Sequence, residues 1–257
     1  MLSHGGAGGR DRLGGVIAPQ AAAALAQAAL AGPYFAVTLE PDELLWRPLS
    51  DLLGPDVLIE NVDQVRRILH ERTRLPLADL DLRACASTHA LGLTSRLVAP
   101  ALGCAAFAGQ VPALTIDGLR WQRVAGGPVP IGVSAADSRP VASPDEAADA
   151  LHRTVITTVV APLIRAFEQT FALSPQVLWG NVASALAGAA TMVVRSGTAP
   201  LLDPPTIAKL ATERGTLAGM GTWTGTAFRR NNCCLFYKIP GGGTCGDCVL
   251  ISNDTLE

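Results

Sequence analysis

Apolar residues recur at helical spacing through most of the chain, and the breaks between these stretches carry helix-start signals. An alanine-rich segment follows Pro19 and runs to about Leu30. Pro41, Asp42 and Glu43 resemble a first helical turn, with both acids at the end where the helix dipole favours them. From Asn61 to Arg72, Val62, Val65 and Leu69 share one helical face. Leu82 to Val98 predicts a further helix, stopped by Pro100. The pattern then shortens. Ala113 to Val124 places Asp117-Gly118 between two apolar runs, a hairpin signal, and Gly126 to Ser134 reads as a strand or loop. Pro112 to Ser134 is therefore expected to form a small β element between two helical halves.

The second half opens on Ser143, Pro144 and Glu146, the residues of a capping box, and predicts a helix to about Phe171 with a kink at Pro162. Ser174-Pro175 repeats the signal for a long uncharged helix. Asp203-Pro204-Pro205 starts another, to about Arg214, and the glycine-rich stretch from Gly215 to Thr226 reads as turns. The expected fold is mainly α with a small β element (α+β), ending in a cysteine-rich segment. Residues 1–14, rich in glycine, are expected to be disordered. Residues 15–226 are expected to form the helical domain, with the cysteine-rich segment 227–257 packed on it.

Composition sharpens this picture in three places. Half of the 257 residues are apolar and 16% are charged, enough to bury a substantial core. The net charge of −2, without a basic stripe interleaved with aromatics, argues against nucleic acid as a partner. The run from Gln169 to Val194 carries no charge and is long enough to span a bilayer. Ser174, Pro175, Gln176, Asn181, Ser184 and Thr191 interrupt it, so it reads as a buried helix, and no transmembrane span is expected. The apolar run from Leu13 to Gly32, broken by Pro19, Gln20 and Gln27, reads as part of the fold rather than as a leader.

Four of the six cysteines fall within sixteen residues, as C-C-x10-C-x2-C: Cys233, Cys234, Cys245 and Cys248. Clustered at one end of a large alanine-rich chain, they point to metal ligation in a reducing compartment rather than to a disulfide framework. Cys85 and Cys104 stand apart and read as buried thiols. The CxxC half suits many metals, but the adjacent pair is informative. Neighbours in extended backbone point to opposite faces, so Cys233 and Cys234 converge poorly on one tetrahedral zinc. A 2Fe–2S group offers two metal centres, each needing two thiolates.

Gly241, Gly242 and Gly243 permit positive φ and are expected to bring amide N–H groups near the sulfurs. Gly241, Gly243 and Gly246 also spell GxGxxG, but without the strand-to-helix context of a dinucleotide site. Arg229, Arg230 and Lys238 are placed in sequence to offset the cluster's negative charge or to dock an anionic partner. Trp179 reads as core, Asn181 as satisfying a buried polar group, and His89 as a hydrogen-bonded interior histidine. His4, His70 and His152 lack ligand spacing to the cysteines, against a Rieske-type site.

This ending, with Arg229-Arg230 before it and IPGGGTCGDC inside it, resembles the FhuF-like ferric-siderophore reductase family. The run VLWGNVASALAGA (177–189) is similar to a second element of that family, and ACASTHALGLTSRLVAP (84–100) adds weaker similarity. The resemblance implies a cytoplasmic oxidoreductase with one 2Fe–2S cluster on Cys233, Cys234, Cys245 and Cys248. It implies one-electron reduction of Fe(III) in a ferric siderophore, releasing Fe(II). No flavin or nicotinamide fingerprint is present, so a protein donor such as a ferredoxin or ferredoxin reductase is expected. The alternatives are a cluster-based redox sensor or siderophore-binding module without turnover, and a structural zinc protein.

Overall fold

The computed structural model describes residues 15–251; the expected disordered start, residues 1–14, lies outside the described residues. Helix α1 (Pro19–Ala28) starts on its proline and buries Ala21, Ala24, Leu25 and Ala28, a stripe at helical spacing. Residues 41–46 do not become a helix. Leu45 and Trp46 both donate to the Asp42 carbonyl in a single turn, and the chain leaves it as an edge strand. The short strands β1 (Thr38–Leu39) and β2 (Arg47–Pro48) flank that turn. Helix α2 (Pro55–Thr73) contains the predicted 61–72 stretch and closes on Arg74 in a left-handed conformation.

Helix α3 (Leu82–Ala108) is the axis of the molecule. It does not stop at Pro100. One missing N–H is a local cost, and burial on nearly every face of residues 84–106 outweighs it. Contact with α1 is close: a Cβ on Gly103 would lie 2.9 Å from both the Ala28 methyl and the Phe35 ring.

The β region differs in pairing from the expected hairpin. Strand β3 (Gln110–Ala113) and strand β4 (Leu119–Trp121) belong to different sheets. β4 instead forms the hairpin with β5 (Ile131–Val133), and β1 and β2 from the N-terminal half complete the order β1-β5-β4-β2. β3 pairs antiparallel with β6 (Asp137–Pro140). The Asp117-Gly118 turn therefore crosses between sheets. Its Gly118 carbonyl accepts from the Ser134 and Ala135 amides, and a Cβ there would meet the Ala135 oxygen at 2.5 Å.

Helix α4 (Pro144–Leu151) begins as the capping box requires. Glu146 N–H donates to Ser143 Oγ at 3.2 Å, and the Glu146 carboxylate accepts the Ala142 amide at 2.8 Å. A π-helical stretch, His152–Val160, joins it to α5 (Ala161–Phe171). Pro162, where a kink was expected, stands directly after this wider stretch, in the first turn of α5. Helix α6 (Pro175–Arg195) packs along α3, and α7 (Pro204–Thr212), capped by Asp203, closes the bundle. Among the described residues α3 and α6 are long and apolar enough to cross a membrane; both bury most of that surface inside the protein. The glycine-rich stretch after α7 is more regular than expected. Strands β7 (Gly221–Thr224) and β8 (Ala227–Arg230) form a hairpin, held to α7 by Trp223 Nε1–H donating to Thr212 Oγ1 at 2.8 Å. The fold is thus mainly helical with small sheets, as the sequence pattern implied.

His89 on α3 is 8% exposed, with its ring 5.9 Å from that of Phe167. Its Nε2 is buried without a hydrogen-bond partner among the described residues, a departure from the expected hydrogen-bonded histidine. Burial pushes its pKa down to about 4, so the folded protein keeps the ring neutral. The unfolded chain binds a proton near pH 6.5. Stability is therefore expected to fall as pH drops from that value towards 4, by up to about 3 kcal/mol from this group. His89→Gln should flatten the decline in urea midpoints measured between pH 7 and pH 4.5; an unchanged slope contradicts the assignment.

Candidate iron–sulfur site

The chain leaves β8 and turns into the cysteine segment across the faces of α3 and α6. A thread of buried hydrogen bonds sets its path. Arg230 Nη2–H donates to Asn181 Oδ1 at 2.7 Å. Asn181 Nδ2–H donates to the Ser87 carbonyl and hydroxyl, both at 3.0 Å. Ser87 Oγ–H donates to the Cys234 carbonyl at 2.7 Å. Asn181 and Ser87 are fully buried, so each group here must find its partner inside the protein. Asn181 does satisfy buried polar groups. Ser87 was not singled out in the sequence; a serine on an otherwise apolar, glycine- and alanine-rich helix face was the available signal.

After Cys234 the backbone reverses at Leu235, whose φ of 68° is left-handed. A branched residue there costs on the order of 1 kcal/mol, and such strain concentrates at functional sites. The reversal aims amides at sulfur. Leu235 N–H donates to Cys233 Sγ at 3.3 Å, and Leu250 N–H donates to Cys248 Sγ at 3.4 Å. The glycine run serves differently from expectation. Gly241 and Gly243 take positive φ and let the loop return, while the amides found on these sulfurs come from the leucines. Within CxxC, Cys248 N–H donates to the Cys245 carbonyl at 3.2 Å.

The two halves meet where the Cys234 and Cys245 sulfurs approach to 3.5 Å. That contact lowers the Cys234 pKa to about 6, against the opposing effect of burial, with help from the Phe236 amide and the Arg230 charge. Cys245 is pushed up by the same contact, by burial and by Asp247. Among the described residues no three His, Cys, Asp or Glu converge on a point that one metal ion would occupy. Cys85 and Cys104 are fully buried in the core with thiol pKa values raised by burial, away from this chemistry.

The three expected cations have three separate fates. Lys238 Nζ lies 3.2 Å from Asp81 Oδ2, pinning the loop to the N-cap of α3. Burial raises the Asp81 pKa, but the Ala84 amide and Lys238 outweigh it and hold the carboxyl below its ordinary value. Arg229 bonds the Val249 carbonyl at 3.1 Å and the Ile251 carbonyl, tying both ends of the segment together. Arg230 alone is buried, at 1% exposure.

Arg230 makes the site's charge legible. Arg96, the other buried arginine, uses Nε, Nη1 and Nη2 on the carbonyls of Val129, Pro33 and Ala36, at 2.6–3.1 Å. Arg230 spends one nitrogen on Asn181. Its Nε and Nη1 are buried without partners, and no carboxylate pairs with it, among the described residues. An uncompensated buried guanidinium costs several kcal/mol. Four thiolates and two sulfides around two ferric ions carry a net charge of −2. An anionic cluster beside Cys234 fits the orphaned cation, and the four thiols supply the donor set such a group takes.

These features define a helical iron–sulfur protein whose cofactor rides on a C-terminal segment docked against two core helices. Residues 230–250 match the family model described as the FhuF 2Fe-2S C-terminal domain, which supports the resemblance to FhuF-like proteins and identifies the cofactor as a 2Fe–2S cluster. Over these residues the chain is similar to the C-terminal 2Fe–2S domain of FhuF proteins. No curated protein matches the chain.

The docking depends on a missing side chain. A Cβ on Gly180, in α6, would lie 2.0 Å from Asn232 Oδ1, one residue before Cys233. Gly180→Ala should raise helix propensity by about 0.8–1 kcal/mol yet displace Asn232. The expected result is unchanged helical circular dichroism with faster amide exchange across residues 228–250. Undiminished protection there contradicts this account of the docking.

Proposed function

We propose that the protein reduces Fe(III) held by a siderophore, one electron at a time, and releases Fe(II) for use in the cell. In this reading Cys233, Cys234, Cys245 and Cys248 hold the cluster, two sulfurs to each iron. The observation that carries it is the match of residues 230–250 to a 2Fe–2S family, on a segment whose buried Arg230 has two nitrogens without partners among the described residues. When bound, the cluster supplies a one-electron store, which zinc cannot.

The residues divide the work. The four thiols bind the irons. The Leu235 and Leu250 amides donate to Cys233 and Cys248 and favour added negative charge there. Arg230 offsets that charge, Asn181 fixes the guanidinium, and Ser87 fixes the Cys234 carbonyl. The chelate's iron takes the electron, Fe(III) becoming Fe(II). Loss of one positive charge weakens every contact between the ion and its oxygen donors at once. A donor protein, such as a ferredoxin or its reductase, returns the electron. The reducing compartment such thiols need is the cytoplasm.

Three experiments test this. Reduced protein mixed anaerobically with a ferric siderophore and a ferrous trap should reoxidise at a rate that depends on the chelate, with one Fe(II) trapped per electron lost. Reoxidation indifferent to the chelate favours a sensor instead. Cys233→Ser and Cys245→Ser should each abolish the visible cluster spectrum. Arg230→Met should lower the cluster's reduction potential by tens of millivolts, where 59 mV is a tenfold change for one electron. It should also leave the apoprotein at least as stable, because an unpaired buried charge is gone. An unchanged potential overturns the counterion role.

A further inference from the structure

A cleft of about 880 Å³ opens between α3 and α6, closed at one end by Phe228 of β8 and by Gly246-Asp247. Those last two residues are the interior of the CxxC turn, so whatever fills the cleft lies against the backbone joining Cys245 to Cys248. The cleft exists because both helices present small side chains to it at helical spacing: Gly92, Ser95 and Ala99 on α3, and Ser184, Gly188 and Thr191 on α6. Side chains of ordinary size at these positions would close the space between the helices. The volume falls in the range of small-molecule sites.

We propose that this cleft seats the ferric siderophore, an inference that rests on the reductase reading above and assigns its substrate site. The lining chemistry selects the occupant. The Thr88, Ser95 and Thr191 hydroxyls donate to the Ala84, Leu91 and Ala187 carbonyls of their own helices, which leaves their oxygens as acceptors on an otherwise apolar wall, matching a chelate that is carbon-rich outside and carries N–H groups on its frame. Among the lining residues the formal charges are one Arg195 and one Asp247, a sum of zero. Asp247 Oδ2 is buried without a hydrogen-bond partner among the described residues, so the carboxylate adds negative charge at this end of the cleft. An uncharged iron complex suits this balance. A complex of high negative charge does not, because Asp247 and the anionic cluster both repel it. Placement against Gly246-Asp247 seats the chelate on the backbone that joins Cys245 to Cys248, two of the residues assigned to the cluster, so that one electron passes from the reduced cluster to the ferric ion and Fe(II) forms.

The test separates binding from reduction. Gallium(III) matches ferric iron in charge and is not reduced, so its complex with a cyclic trihydroxamate is an uncharged, redox-silent probe for the intact holoprotein. Gly92→Leu and Gly188→Leu fill the cleft from opposite walls. A Cβ at either position meets nothing within 4 Å, so neither substitution forces the backbone. Each variant is expected to keep the cluster's visible spectrum and its bleaching by dithionite. Each should bind the gallium complex at least tenfold more weakly by calorimetry and show a raised KM for the ferric chelate. The gallium complex of a tris-catecholate, with charge −3, should bind wild-type protein at least tenfold more weakly than the neutral one. Wild-type affinity in both leucine variants, with the cluster intact, overturns the site; equal affinity for the two gallium complexes overturns its charge selection. If the neutral complex binds wild-type protein, and binds both leucine variants weakly, but the ferric chelate never reoxidises the cluster, the site stands and the reductase reading fails.

Discussion

A single buried cation organises the functional end of this protein. Arg230 lies inside the fold with one of its nitrogens hydrogen-bonded to Asn181 and two unmatched. The protein tolerates that cost where the same fold, at Arg96, gives each guanidinium nitrogen a carbonyl partner. The difference is what stands beside each. Arg96 braces three backbone carbonyls and has a purely structural task. Arg230 favours the Cys234 thiolate, and its two unmatched nitrogens suit a group of net negative charge.

From that constraint the rest of the site follows. Asn181 orients the guanidinium and grips Ser87, and Ser87 holds the carbonyl of the cysteine that the arginine faces. Three stretches far apart in sequence, around residues 87, 181 and 230–234, are joined by a short run of hydrogen bonds, each sealed from water. The remaining cations fasten the segment from outside: Lys238 to the cap of α3, and Arg229 to the carbonyls at the segment's far end. The small residues of α3 and α6 leave room beside the CxxC turn. One pair of helices thus carries both the anchor of the segment and the cleft next to it.

Much of this was legible in the sequence, for reasons that differ by element. The capping residues Ser143, Ser174 and Asp203 marked helix starts correctly, because a cap is a local contract between a side chain and the next few amides. Pro100 misled, because a proline's local cost is small against the burial of a central helix. The hairpin expected about Asp117-Gly118 failed for a related reason: strand pairing is settled by tertiary partners, and β4 found Ile131–Val133. The cysteine spacing announced iron–sulfur chemistry, since adjacent thiols suit two metal centres better than one. Which of three neighbouring cations would be buried could not be read, because burial of Arg230 is decided by Asn181 on a helix some fifty residues away.

The central claim is that the tail of this chain carries two bridged irons rather than a single zinc. Elemental and acid-labile sulfide analysis of anaerobically purified protein addresses it directly. The account requires two irons and two sulfides per chain, with zinc absent. One zinc per chain, without labile sulfide, would contradict it.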